Sequence, residues 1–263
     1  GGTAVGHQAL QANTTGAANI AIGKDSLYTN TTGNYNLAIG YDSLQQNNSS
    51  NNVAIGHDAL KLNTTATEGT AVGANALAAN TTGDRNTALG QSTLVTNSTG
   101  GANTAVGHDA LFSNTTADYN VAVGKDAMYY NSTGTRNVAV GAFSLDANTT
   151  TSDNTAVGYN ALTANTAADN TAVGSGALSG NTTGSENTAF GSGAMDAAST
   201  GSYNTAVGRE ALGAHTTGNG NTAVGQGAAS AVTTGSSNVA IGQRALDAIT
   251  TSAENTAVGV DSF

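Results

Sequence analysis

The sequence predicts an all-β fold, a parallel β-solenoid of about 15 to 16 coils with 17-residue repeats. A glycine recurs through all 263 residues, and of the 15 intervals between successive copies 13 are 17 residues and two are 16. Gly, Asn and Thr interrupt every apolar run, and β-branched residues precede the glycine, which favours short strands. A two-helix repeat needs a period of about 33 residues or more. These marker glycines are Gly6, Gly23, Gly40, Gly56, Gly73, Gly90, Gly107, Gly124, Gly141, Gly158, Gly174, Gly191, Gly208, Gly225, Gly242 and Gly259.

Each repeat approximates N-T-A-V-G-x-x-A-L-x-x-N-T-T-G-x-x. We expect two short strands per coil, T-A-V and A-L-x. Turns at the marker glycine and at N-T-T-G join them, because Gly and Asn accept positive φ. Coils stacked in register at about 4.8 Å per step would make a rod of roughly 70 Å over 15 steps. Equivalent positions of successive repeats then form columns.

Two columns are apolar and are expected to be buried. The residue before the marker glycine is always apolar, from Val5 through Phe190 to Val258. The residue four after it is Leu or Met with few exceptions, Ala229 being the one small residue. The residue three after it is only Ala, Ser or Thr, which indicates a crowded position.

An alanine occupies the position two before the marker glycine in all 16 repeats. Strand alternation places it on the face opposite the Val column. The interior is thin for a single chain, so we expect several chains to share a core, with the Ala face as the subunit contact and three as the number of chains. The predicted contact column is Ala4, Ala21, Ala38, Ala54, Ala71, Ala88, Ala105, Ala122, Ala139 and Ala156.

Asparagines form two further columns, whose stacked amides are expected to bond to each other and to the turn backbone. The first runs unbroken from Asn13 to Asn181, then changes to Ala198, His215, Val232 and Ile249, which predicts a more apolar and more covered corner there. The second lies four before the marker glycine and is interrupted only by Gly2 and Gly69.

The repeated N-x-A-[VI]-G followed by A-L or S-L resembles the YadA-like head repeats of trimeric autotransporter adhesins and related phage tail-fibre segments. The resemblance covers all 263 residues, although the adhesin repeat is usually a few residues shorter. It implies a left-handed β-roll, an intertwined homotrimer, and an extracellular cell-surface or virion fibre that attaches to a glycan or protein on a host or prey cell. Because the array opens at Gly1 and stops at Phe263 within a repeat, we expect residues 1–263 to be one uncapped repeat domain of a longer fibre.

Composition is consistent with this interpretation. The chain has no Cys, and its 17 acidic and 7 basic residues give a net charge of −10, which disfavours nucleic-acid binding. No apolar stretch is long enough to insert into a membrane.

Candidate chemistry is sparse, and we expect no enzyme activity, cofactor or metal site. His7, His57 and His108 share the tolerant position after the marker glycine, and His215 replaces a ladder Asn. The aspartates Asp25, Asp42, Asp58, Asp109 and Asp126 share the next position, where they are interpreted as a solvated edge rather than a Ca²⁺ site.

Tyrosines are the best candidates for surface contact. Tyr35, Tyr119 and Tyr203 share the position five before the marker glycine, and Tyr129 lies near the L-x-x corner. Exposed tyrosines suit carbohydrate or protein contact, although shielding of turns explains them equally well.

Two functions from different classes follow. The first is a structural and adhesive segment of a trimeric fibre. The alternative is a monomeric ice-binding or surface-ordering solenoid that uses Thr columns such as Thr70, Thr87 and Thr104. Against the alternative, Thr14 and Thr15 are adjacent and point to opposite faces, and Ile20, Leu37, Val53, Val121 and Val138 interrupt the Thr column.

Overall fold

The computed structural model describes all 263 residues as an all-β parallel β-solenoid of about 15 coils, which confirms the predicted fold class. The chain divides into an N-terminal unit, Gly1–Thr135, and a C-terminal unit, Arg136–Phe263. The N-terminal unit contains β1 (Thr3–Val5), β2 (Ile20–Ile22), β3 (Leu37–Ile39), β4 (Val53–Ile55), β5 (Thr70–Val72), β6 (Thr87–Leu89), β7 (Thr104–Val106) and β8 (Val121–Val123). The C-terminal unit contains β9 (Val138–Val140), β10 (Thr155–Val157), β11 (Thr171–Val173), β12 (Thr188–Phe190), β13 (Thr205–Val207), β14 (Thr222–Val224), β15 (Val239–Ile241) and β16 (Thr256–Val258).

Within each unit the strands pair in chain order, all parallel and without a register shift. In the N-terminal unit Ala71 is opposite Ala54 and Ala88, and in the C-terminal unit Ala189 is opposite Ala172 and Ala206. The 16-residue repeats keep the same pairing, because the missing residue falls in the corner and not in the strand. Stacking of identical residues is therefore confirmed.

The marker glycines end each strand in a conformation that only glycine adopts easily. Their φ angles lie between +129° and +142°. A Cβ on Gly73 would lie 2.4 Å from the carbonyl oxygen of Gly90, and one on Gly208 would lie 2.5 Å from that of Gly225. Both the left-handed backbone and the close approach of the next coil exclude a side chain.

The A-L-x segment is not a strand, so the prediction of two strands per coil is wrong. Residues after the marker glycine form consecutive turns, and the Leu column has φ between +48° and +55° as far as Leu246. Its backbone still links the coils, since Leu27 N donates to Ser43 O at 3.0 Å. A left-handed Leu costs about 1 kcal/mol, and burial of its side chain together with this hydrogen bond offsets that cost.

The interior is filled by small and medium side chains in layers. The Leu and Met column is fully buried from Leu27 to Leu246, as predicted, for example at Leu60 and Met128, and only Leu10 in the first coil is half-buried. The small column before it is buried as well. Its hydroxyl members bond to marker-glycine carbonyls, with Ser43 Oγ 3.1 Å from Gly40 O and Thr93 Oγ1 2.7 Å from Gly107 O.

Both Asn columns face the interior and form the hydrogen-bonded ladders that the sequence predicts. In the first, Asn97 Nδ2 donates to Asn80 Oδ1 at 2.8 Å and to Gly100 O at 2.9 Å. In the second, Asn204 Oδ1 accepts from the backbone N of Asn221 at 2.9 Å. Each amide thus closes its own corner and joins it to the adjacent coil.

Candidate interaction surfaces

The residue just before each marker glycine, which the sequence predicts to be buried, has its side chain on the outside of the strand. The side chains three and one residue before the marker glycine form what we call the outer strand face, for example Thr87 and Leu89 on β6. Leu89 is 47% exposed and Phe190 is 57% exposed, and no member of either column is fully buried. The prediction that the column before the glycine is buried is therefore wrong.

The alanine column is inside the chain's own coil. Of the predicted contact residues, Ala4 is exposed, whereas the other nine are completely buried: Ala21, Ala38, Ala54, Ala71, Ala88, Ala105, Ala122, Ala139 and Ala156. A buried side chain does not contact a second chain, so the expected role of this column needs correction. The Leu column and the two Asn ladders fill the interior, and the strand leaves room there only for Ala.

The outer strand face repeats without interruption within each unit. Every strand of the N-terminal unit contributes one Val, Ile or Leu next to the marker glycine. The residue two positions earlier is Thr, Val, Ile or Leu. In-register pairing brings like residues together, such as Val53 beside Leu37 and Ile55 beside Ile39. The column next to the marker glycine is a continuous apolar stripe within each unit, of a kind that soluble monomers seldom leave exposed, and a column of Thr and aliphatic residues runs beside it.

The predicted tyrosines are exposed but do not form one site. Tyr35, Tyr119 and Tyr203 are each more than 60% exposed and lie at positive φ in the corner turn. Five repeats separate each from the next. Tyr129 is only half-buried and stacks on Phe112, with ring centroids 4.9 Å apart and planes 6° apart.

Aromatic stacking between adjacent coils is a feature that the sequence analysis missed. Tyr41 stacks on His57 of the next coil at 5.2 Å, and Lys24 Nζ of the preceding coil is 5.0 Å from the Tyr41 ring centre. Within one coil, Tyr130 meets Tyr129 edge-on at 4.7 Å. The signal was present in the sequence, because residues 16 or 17 apart occupy the same column.

A shallow depression of about 460 Å³ lies on the surface of the N-terminal unit beside Tyr28. Tyr28, Thr29, Gln45, Gln46 and Thr64 line it. A smaller depression of about 200 Å³ adjoins Tyr119 and includes Arg85 and Asp118. An aromatic ring beside amides and hydroxyls is suited to contact with a polar ligand such as a sugar.

The Asp column is more enclosed than the expected solvated edge. Between 7% and 21% of each side chain is exposed at Asp25, Asp42, Asp58, Asp109 and Asp126. Lys61 Nζ lies between two of them, 2.9 Å from Asp42 Oδ2 and 3.1 Å from Asp58 Oδ1. Its hydrogen bond to Asp42, followed by that to Asp58, raises the pKa of Lys61 against the opposing effect of partial burial.

Three metal-ligating side chains converge in the N-terminal unit. His108, Asp109 and Asp126 each offer a ligand atom, and these atoms lie within 4.8 Å of one another. His108 Nδ1 is 2.9 Å from Asp109 Oδ2. The sequence analysis had kept His108 and the aspartates apart, because they belong to two different columns.

His215 is buried inside the C-terminal unit where the first Asn ladder has ended. Burial lowers the pKa of its imidazole, and a hydrogen bond to the backbone of Gly218 acts in the opposite direction. Its Nδ1 is buried and has no hydrogen-bond partner. The ring is therefore neutral near pH 7 and serves as packing.

Searches of protein families, curated proteins and solved structures find no match to this chain. No helix in the structure is long and apolar enough to cross a membrane.

Proposed function

We propose that the chain is a structural and adhesive segment of a homotrimeric extracellular fibre, such as a surface adhesin or a tail fibre. The observation that carries the proposal is the outer strand face. The apolar column next to the marker glycine contributes one side chain from every strand, with Leu89 and Phe190 among the most exposed members. Burying such a stripe against a second copy removes it from water, which is the main driving force for association.

The outer strand face is suited to self-association because it is alike on every coil. A partner that carries the same repeat presents the same spacing of side chains, so each coil of one chain can pack on one coil of another. Closed symmetric assemblies are the usual result when like chains associate. The number three comes from the resemblance of the N-x-A-[VI]-G repeats to adhesin heads.

The remaining surface supports attachment and solubility. The exposed tyrosines and the depression lined by Tyr28, Gln45 and Gln46 supply aromatic and polar contacts for a glycan or protein on another cell. The net charge of −10 per chain is tripled in a trimer and keeps fibres apart.

The test is the mass of the chain in solution, from light scattering coupled to gel filtration, for two matched variants. Leu89→Lys with Phe190→Lys places two charges on the outer strand face, whereas Gln91→Lys with Ser192→Lys places them on exposed positions of the same coils. We expect a mass near three times the 25.6 kDa chain for the wild type and the control. The outer-face variant should be monomeric, and a monomeric wild type would contradict the proposal.

Ice or surface ordering by a monomer is the second candidate, and one observation favours it. Thr155, Thr171, Thr188, Thr205 and Thr222 are consecutive and in register on the outer strand face of the C-terminal unit. Such a lattice of hydroxyls beside Val methyls is regular and partly exposed. A monomeric wild type that inhibits ice recrystallisation would support this function instead.

A further inference from the structure

We propose that His108, Asp109 and Asp126 form a binding site for a divalent transition-metal ion, of which Zn²⁺ is the representative. The three ligand atoms lie within 4.8 Å of one another. Two ligand atoms that are each about 2.0–2.2 Å from one zinc ion are less than 4.8 Å apart. A small movement of the side chains therefore allows all three ligand atoms to bind one ion. An imidazole with two carboxylates is a donor set that zinc accepts, with water in the remaining positions.

The backbone holds the two carboxylates in place before any ion arrives. Asp109 and Asp126 occupy equivalent positions of adjacent coils, both at positive φ, and their side chains are 21% and 16% exposed. Asp126 N donates to His108 O at 3.1 Å, which fixes the second aspartate beside the histidine backbone. A site fixed by the stacked coils loses little conformational entropy on binding.

The same columns contain an internal comparison. At the coils of Asp42 and Asp58, the chain itself places the ammonium group of Lys61 between the carboxylates. At the coils of Asp109 and Asp126, the position equivalent to Lys61 is Tyr129, and the imidazole of His108 lies beside Asp109 instead. The pair at Asp109 and Asp126 therefore has no lysine at the position of Lys61, and an imidazole beside it instead.

Lys125 is the one competing cation. Its Nζ lies 2.5 Å from Asp126 Oδ2, and its side chain is 57% exposed. A carboxylate has two oxygens, so Asp126 can bind the ion through one while Lys125 remains on the other. An ion bound at Nδ1 of His108 uses the lone pair of that nitrogen, so the ring then carries its proton on Nε2.

Isothermal titration of the full chain with Zn²⁺ tests the site, with two histidine variants as a matched pair. We expect one zinc per chain at this site and a loss of affinity of at least tenfold in His108→Ala. We expect no change in His57→Ala, because Asn75 stands beside His57 where Asp126 stands beside His108, and Lys61 already pairs with Asp58. Asp126→Asn should weaken binding as His108→Ala does. Both histidines are exposed, and thermal unfolding by circular dichroism checks that every variant is folded.

Two results would overturn the proposal. The first is a wild type that takes up no zinc. The second is an equal loss in His57→Ala and His108→Ala, which would mean that zinc binds to exposed histidines without regard to the aspartates.

Discussion

The N-terminal and C-terminal units use the same coil but fill its corners differently. In the N-terminal unit the first Asn ladder is unbroken from Asn13 to Asn131, while the second is interrupted at Gly2 and Gly69. In the C-terminal unit the second ladder is unbroken from Asn137 to Asn255. The first ladder of that unit gives way after Asn181 to Ala198, His215, Val232 and Ile249.

This difference shows that apolar residues can replace a buried amide ladder. The ladder then ends in a buried amide that lacks one hydrogen-bond partner. Within a stretch of 17-residue repeats, such as Asn80 to Asn114, each amide is bonded to its neighbours. At Val232 neither a side-chain donor nor an acceptor remains to be satisfied. At the boundary, Asn181 Oδ1 is buried without a partner because Ala198 offers no donor. Asn30 Oδ1 is similarly orphaned next to the shortened repeat, where Asn47 Nδ2 donates to Ser49 O instead.

The largest loss of stability should come from substituting a marker glycine, and it should be the same in both units. Gly73→Ala and Gly208→Ala each force a left-handed backbone on alanine and push a methyl group against the carbonyl of the next coil. We expect a loss of about 4 kcal/mol or more in the free energy of unfolding for each. Urea unfolding followed by circular dichroism measures it, and Gly101→Ala, at a variable corner position, is the control. A clearly smaller loss in one unit would show that the coils are not equivalent.

A change within the first ladder should distinguish the units. Asn97→Ala removes the bonds to Asn80 Oδ1 and Gly100 O and leaves Asn114 Nδ2 without its acceptor at 2.7 Å. We expect the free energy of unfolding to fall by about 2–3 kcal/mol, because two hydrogen bonds are lost and their buried partners remain unsatisfied. Hydrogen exchange should locate the loss in the N-terminal unit. Gln46→Ala, an exposed amide, should cost less than about 0.5 kcal/mol, and equal losses would contradict the ladder.

Extending the ladder in the C-terminal unit should stabilise it. In the double variant Ala198→Asn with His215→Asn, the amide introduced at position 198 donates to the orphaned oxygen of Asn181, and the amide introduced at position 215 donates in turn to the one at position 198. The unpaired oxygen moves to position 215, beside Val232, but two hydrogen bonds are added and the unpaired Nδ1 of His215 is removed. We therefore expect a net gain of about 1 kcal/mol in the free energy of unfolding. The same urea titration measures it. A loss of stability would show that the apolar corner is packed too tightly to accept an amide.

The smallest expected effect is a pH dependence confined to the C-terminal unit. Burial lowers the pKa of His215 in the folded state, so the unfolded chain takes up this proton first as the pH falls. The contribution of His215 is therefore complete above about pH 6.5. It decreases as the pH falls from there through the lowered folded pKa. Unfolding titrations from pH 8 to pH 4 measure the free energy of unfolding of the wild type and of His215→Asn. The wild type should lose stability relative to the variant as the pH falls, and a difference that does not change with pH would contradict this.

The period of the sequence was sufficient to predict the parallel stack, the register and both ladders. A constant spacing fixes which residues lie above one another, and amides in one column can satisfy each other. The faces of the strand could not be assigned in this way. Alternation separates Ala71 from Val72 but does not say which one is inside, and hydropathy favoured the larger residue. The decision depends on the space that Leu77 and the Asn ladders leave, which only the three-dimensional structure shows.

The A-L-x segment was misread for a related reason. An Ala–Leu pair has the apolar character of a strand, and Leu rarely adopts positive φ. Asp58 and Leu60 both have positive φ, +58° and +49°, so the backbone turns repeatedly instead of extending as a strand. Their backbone N–H groups still donate to the coils on either side, to Tyr41 O and Ala76 O. The trio of His108, Asp109 and Asp126 was missed because two columns meet only when coils are stacked.

The central claim is that chains meet through the outer strand face, and cysteine cross-linking tests it most directly. The natural sequence has no Cys, so Leu89→Cys and Gln91→Cys introduce single thiols on the outer face and on an exposed edge of the same coil. With a short bis-maleimide, Leu89→Cys should give covalently linked chains at a yield that does not change on dilution, whereas linkage of Gln91→Cys should decline with concentration. Linkage of Gln91→Cys alone, or of neither variant, would contradict association through the outer strand face.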